Sequence, residues 1–246
     1  MKRVTGILAA AVAAAFVFAG AAPALAAGPE DPAEVMRELV ALNPGATEAQ
    51  LHAAAEEAAR ESGLSTEETL LRALEEAKAS VEAASAAEVE SAPRSSGNKT
   101  VRLGAARHAG DIFVSPSATL FVQHGHTGIY HTTTSVVDAP GVGQRSRASD
   151  ARWFKVGRGA VKQSVSVSTA KRNAAARYAY NRLRGKEYNM NFVFNKSTTG
   201  AQMNCSQLVW AAYKAGAGID LDSNGGGGVY PYDIKHSPLT RTYQTL

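Results

Sequence analysis

The sequence predicts an α+β fold in which an acidic, all-helical region precedes a basic domain of mixed helices and antiparallel strands. Three observations predict it. The charge changes sign along the chain: residues 27–98 carry 15 acidic and 5 basic side chains, whereas residues 99–246 carry 7 acidic and 19 basic. Composition changes at the same place, from Ala, Glu and Leu to glycine, β-branched residues and aromatics. Helix-start signals punctuate the first region, while short runs bounded by turn residues dominate the second.

Residues 1–26 are set apart first. Lys2 and Arg3 precede an alanine-rich apolar run from Ile7 to Ala22, which ends in Pro23-Ala24-Leu25-Ala26. A basic start, a short apolar stretch and small residues at the cleavage positions read as a secretory signal. The run is short for a bilayer span of about 20 residues. The mature chain is therefore expected to be exported, with no transmembrane segment.

Residues 27–98 follow as a helical accessory region with its linker. Helices are expected near 31–42, 47–61 and 65–90, separated by Asn43-Pro44-Gly45 and Ser62-Gly63. Thr47 with Gln50 and Ser65 with Glu68 match capping boxes, in which each side chain satisfies a free amide of the other. The apolar stripes are thin, with Val35, Leu39 and Leu42 in the first helix and Leu70, Leu71 and Leu74 in the third. Such a unit buries little area alone and needs a partner surface. Residues 91–99 have the composition of a linker.

Residues 99–246 are long enough for one core. Strands are expected at 110–115, 118–123, 126–131, 134–139 and 151–157. Helices are expected at 168–184 and from about 205 to Gly216, followed by a flexible loop through Gly225–Gly228. Trp153 and Trp210 read as core. The glycine run lacks the Lys-Ser or Lys-Thr of a phosphate-binding loop. No nucleic-acid motif accompanies the basic surplus. Ser135, Ser146 and Ser149 lack the elbow of a serine hydrolase.

Cys205 is the single cysteine, so no internal disulfide can form. A buried structural thiol is one reading of it. Its surroundings support another. Asn204 is a good N-cap, and Leu208/Ala212 and Val209/Tyr213 lie on one apolar helical face. Cys205 then occupies the first helical turn, where the helix dipole and free amides favour a thiolate. The N–H groups of Cys205 and Ser206 can face the oxygen of a bound acyl group. A thiol nucleophile needs a base, and Gly125-His126-Thr127-Gly128-Ile129-Tyr130 reads as a strand whose hairpin partner carries Asp138. If His126 and Asp138 share a face, the carboxylate orients the imidazole. His124 reads as a site-edge or surface residue, and His131 as facing away. His124 and His126 are spaced as two metal ligands, but no third ligand stands at a matching spacing; neither a metal nor another cofactor is expected.

Taken together, "HTGIY", "VVDA" and "NCSQLVWAAYKAG" resemble the NlpC-type superfamily of papain-like cysteine peptidases and amidases. The histidine strand precedes the cysteine helix here, an order similar to the circularly permuted YiiX/YebB-like branch. "GDIF" at 110–113, "GKEYNMNF" at 185–192 and the tail at 219–238 fit that branch, so the resemblance spans roughly 110–238. It implies a permuted papain-like fold with Cys205 as nucleophile, His126 as base, Asp138 as the third polar residue and Tyr188 facing substrate. Asn204 and Ser206, flanking the nucleophile, join Tyr188 as substrate-binding candidates. Gln207 departs from the glycine usual in the unpermuted peptidases.

The function expected is that of a secreted bacterial cysteine hydrolase acting on cell-wall peptide or another amide. Two alternatives stand beside it: a lipid amide or ester hydrolase or acyltransferase of the same fold, and a non-catalytic secreted binding protein. The acidic helical region is expected to dock on the basic domain as a pro-segment, through opposite charge, or to act as a tether to the cell envelope.

Overall fold

The structure is a computed structural model that describes residues 31–91, 100–116 and 124–246. The signal reading of 1–26, the linker from residue 92 onward and the strand expected at 118–123 lie outside the described residues.

The first three helices start and stop where the sequence signals stand. They are α1 (Pro32–Leu42), α2 (Glu48–Ser62) and α3 (Thr66–Ser91). Both capping boxes form. Thr47 Oγ1 accepts the Gln50 amide at 3.2 Å while Gln50 Oε1 accepts the Thr47 amide at 2.9 Å. Ser65 and Glu68 make the same exchange at 3.1 and 3.2 Å. Val35, Leu39, Leu51, Leu70 and Leu74 form a small core that is closed by Val193 of the basic domain.

The domain is built on a fully antiparallel sheet in the order β5-β4-β3-β2-β7-β8. Its strands are β2 (Ile112–Ser115), β3 (His126–Thr132), β4 (Ser135–Asp138), β5 (Arg147–Asp150), β7 (Val161–Val165) and β8 (Thr240–Thr245). β1 (Thr100–Arg102) pairs with β6 (Lys155–Gly157) as a separate ribbon. Successive side chains of a strand point to opposite faces, and both faces here are covered. Ile112, Ile129 and Val137 pack with Ala175, Leu208, Val209 and Ala212 of α4 (Thr169–Arg182) and α5 (Cys205–Ala217). Their neighbours Phe113, Tyr130 and Val136 pack with Leu103 and Val156 of the ribbon side.

Several expectations are corrected. The stretch 151–157 is a turn followed by the short β6, and β5 precedes it. β1, β7, β8 and the short helix α6 (Pro231–His236) were not expected. α5 continues through Gly216 and stops at Gly218, whose φ of +67° closes the helix in the left-handed conformation. Gly216 is instead a packing glycine: a Cβ there would lie 2.7 Å from Tyr178 Cβ and 3.1 Å from the Ala174 carbonyl. Trp210 is core, but Trp153 is 65% exposed, with the Arg102 guanidinium 4.3 Å over its ring.

The helical unit lies against the domain through buried surface. Ala77 joins the main core, and Ala84 packs with Val114, Val161 and Tyr232. The docking expected from opposite charge is thus made, among the described residues, by apolar contact and directed hydrogen bonds. The partner surface that the thin apolar stripes required is this domain.

Candidate active site

α5 begins at a tightly built cap. Asn204 Oδ1 accepts the Gln207 amide at 2.9 Å, and Gln207 Oε1 accepts the Asn204 amide at 3.4 Å, a reciprocal box like those of α2 and α3. Cys205 follows as the first helical residue and is fully buried. Its sulfur sits where helix amides have no intrahelical acceptor and where the helix dipole favours negative charge.

His126 opens β3, and Asp138 closes β4. The register Ile129↔Val137 places them diagonally across the pair, within reach of side chains of this length. Gly128 lies between them. A Cβ at that position would meet the Phe113 ring at 2.6 Å, the Val137 carbonyl at 3.0 Å and Asp138 Cβ at 3.2 Å, so only glycine leaves room for this approach. His126 Nε2 donates to Asp138 Oδ2 at 3.2 Å, and the ring lies near enough to Cys205 for the thiol to affect its protonation. The ring is flanked by Phe113 at 5.6 Å and lies nearly parallel to Phe154 at 6.3 Å. Asp138 is buried, and the His126 side chain keeps 21% exposure, so the imidazole is the solvent-facing part of the trio.

Burial works against a charged imidazole here. The hydrogen bond to Asp138 and the nearness of the Cys205 sulfur, with the negative charge of both partners, outweigh it and push the His126 pKa up to about 10. A protonated imidazole between a carboxylate and a thiol is the arrangement that stabilises a thiolate–imidazolium pair.

No family model matches the sequence. Over 216 residues, 85% of each chain, it is 36% identical to YycO, an uncharacterized protein of Bacillus subtilis (strain 168). The chain belongs to the YycO family. Among solved structures, YiiX of Escherichia coli O157:H7, described as a metalloprotein, superposes on 56% of this chain and 97% of its own, with a TM-score of 0.42 and 17% identity.

Cys205, His126 and Asp138, singled out by sequence, meet at one place in this YycO-family protein. Tyr188 meets them there. It is buried, and its phenol is pushed well above the ordinary range by burial and by the charges of Cys205 and Asp138. The segment carrying it runs beside the approach to α5, where the Glu187 carbonyl accepts the Met203 amide at 2.8 Å. Asn204 and Ser206 are adjacent but turned inward. Asn204 spends its side chain on the cap and on the Asn191 carbonyl at 3.3 Å, and Ser206 Oγ donates to the Val229 carbonyl at 2.7 Å. What they can offer a ligand is backbone.

His124, read from the sequence as a site-edge or surface residue, is buried. Gly125, at φ +83°, breaks the strand between it and His126. The buried His124 ring packs on Tyr230 at 4.9 Å and Phe192 at 5.1 Å. Burial lowers its pKa to about 4, so it stays neutral. The two imidazoles thus serve different neighbours. His131 faces away as expected, stacked on Tyr180 at 3.9 Å.

Gln207 is the supporting residue the sequence reading undervalued. Besides closing the cap, it accepts Asn189 Nδ2 at 2.9 Å and donates to the Ser197 carbonyl at 3.0 Å. Its signal was present, because Asn204-x-x-Gln207 has the capping-box spacing found at Thr47 and Ser65. Phe154 carried no comparable signal, since its place beside His126 depends on how the ribbon folds over the sheet.

Proposed function

We propose that this protein is an exported bacterial cysteine hydrolase of the permuted papain-like, NlpC-type class, cleaving amide bonds. The observation that carries the reading is the His126 imidazole, held by Asp138 on one nitrogen and lying near Cys205, the first residue of a helix. Cys205 Sγ attacks the substrate carbonyl carbon, forming the C–S bond. Free amides of the first helical turn stabilise the oxyanion. His126 gives its proton to the leaving amine as the C–N bond breaks. Water then attacks the thioester, losing its proton to His126, and the acid leaves as Sγ is released. Asp138 keeps the imidazole oriented and balances its charge, and Tyr188 borders the acyl position.

The substrate class follows from the resemblance of the Cys205 and His126 motifs: a peptide or amide of the cell wall, then a lipid amide or ester. The test is incubation with cell-wall peptide fragments and lipid amides, with the acyl-enzyme trapped and located by mass spectrometry. Acylation at Cys205, absent in Cys205→Ala, is the expected result. No acylation and no turnover with either class would sink the reading.

The complete burial of Cys205 favours one second reading, a binding protein that keeps the fold with an inert thiol. It predicts ligand binding unaltered by Cys205→Ala and a thiol that does not respond to His126.

A further inference from the structure

The helical unit reaches the Cys205–His126 pair by three separate paths. Two start at the turn after α1. The Leu42 carbonyl accepts Nε2 of His124 at 3.3 Å, and only Gly125 separates His124 from His126. That glycine leaves no slack: a Cβ on it would lie 2.8 Å from the Tyr232 ring and 3.0 Å from the Ser115 carbonyl. The buried Asn43 acts as a splint between the two parts of the protein. Its Nδ2 donates to the Leu39 carbonyl at 2.8 Å, and its Oδ1 accepts the Phe192 amide at 3.1 Å. The residue before Phe192 is Asn191, whose carbonyl accepts Asn204 Nδ2 beside the nucleophile.

The third path starts in α3. The Glu76 carboxylate lies against the glycine run, accepting the Gly228 amide at 3.4 Å, and a Cβ on Gly226 would overlap it. The adjoining Val229 amide donates to Asn195 Oδ1 at 2.8 Å, and the Val229 carbonyl accepts both Asn195 Nδ2 and Ser206 Oγ. Asn195 Nδ2 also reaches Asn204 Oδ1 at 3.4 Å. The loop expected to be flexible is therefore a strap between α3 and the start of α5.

A reacting pair must be held within about 0.5 Å of its working geometry. Here the approach to β3 and the loop against the α5 cap are fastened to two consecutive residues of the same turn. Resting on the reading of Cys205 and His126 as the reacting pair, we propose that the Leu42–Asn43 turn is a positioning element of the active site, which makes the helical unit part of the working enzyme. Undocking would part the His124 ring, the Phe192 amide and the Gly228 amide from their partners, exchanging each bond for one to water at a modest net cost. It would also uncover Val193 and Val114.

The test uses the full chain and the rate at which iodoacetamide modifies Cys205 as a function of pH, with melting temperature measured alongside. Wild type, His126→Ala, Asn43→Ala and the double variant are compared. Asn43→Ala is expected to lower the neutral-pH rate on the order of 10-fold and to move the profile toward that of His126→Ala. It should add nothing in the His126→Ala background, because the two act through one contact. An Asn43→Ala protein that melts earlier yet keeps the wild-type profile overturns the positioning role and leaves the Cys205–His126 reading intact. A His126→Ala profile identical to wild type overturns both. His124→Phe keeps the ring packing and removes the donor to Leu42; it carries the same expectations if Asn43→Ala does not fold.

Discussion

Asp138 Oδ2 accepts Nε2 of His126 at 3.2 Å across the β3–β4 pair, and this one bond fixes the orientation of the imidazole that lies beside Cys205. Replacing Asp138 with Asn keeps the shape, removes the charge and permits the wrong tautomer. Hydrolysis should fall on the order of 10²- to 10⁴-fold, while substrate binding changes little. Steady-state kinetics of Asp138→Asn checks this, and a loss confined to KM would contradict it.

The raised His126 value gives a pH window. Its folded-state pKa of about 10 exceeds the reference 6.5, so the stability it contributes is fully present below 6.5. That contribution is lost progressively as pH rises through about 10. Denaturant unfolding of wild type and His126→Gln across that window should show their difference shrinking as pH increases. A difference that grows with pH would refute the assignment.

Glu76 titrates with the same sign by another cause. Burial raises its pKa from 4.5 to about 7; the nearby Asp233 and Asp222 carboxylates add to the rise, and the Gly228 amide and Lys196 oppose it. Tyr230 also faces it. A folded state that prefers the protonated carboxyl loses stability as pH rises from 4.5 through about 7. Asp233, raised to about 6, contributes in the same direction, and His124, lowered to about 4, in the opposite one. The wild-type minus Glu76→Gln difference isolates Glu76: the variant should gain stability relative to wild type across that window, and an unchanged difference would exclude it.

Gly216→Ala sets helix propensity against packing. Alanine favours a helix interior over glycine by about 1 kcal/mol. The new methyl would meet Tyr178 Cβ and the Ala174 carbonyl of α4, neither of which is the end of a flexible side chain. Overpacking costs about 1–3 kcal/mol, so the variant should melt below wild type. A higher melting temperature would show that the α4–α5 contact yields.

Helix starts were legible because capping is local: Thr47-Gln50 and Ser65-Glu68 write their bonds within four residues. The trio of Cys205, His126 and Asp138 was legible because each stands at a marked position in an apolar pattern, at a helix start or at the ends of a hairpin. What escaped was non-local. Trp153 is an aromatic beside a strand like many core residues, and only the ribbon's fold exposes it. Gly216 and Gly218 look alike in sequence, yet one admits Tyr178 and the other ends the helix. The glycines at 225–228 read as slack until Glu76, about 150 residues earlier, fills the space they leave. β7 and β8 draw their pairing from each other and from β2, with no turn signal between them.

The most direct test of the Cys205–His126 pairing is the pH dependence of Cys205 alkylation in the full chain and in His126→Ala. The single thiol makes the signal unambiguous. Fast modification at neutral pH in the wild type, with the profile displaced upward in the variant, is the predicted result. Slow modification with the same ordinary thiol profile in both proteins would contradict the pairing and leave Cys205 a buried structural residue.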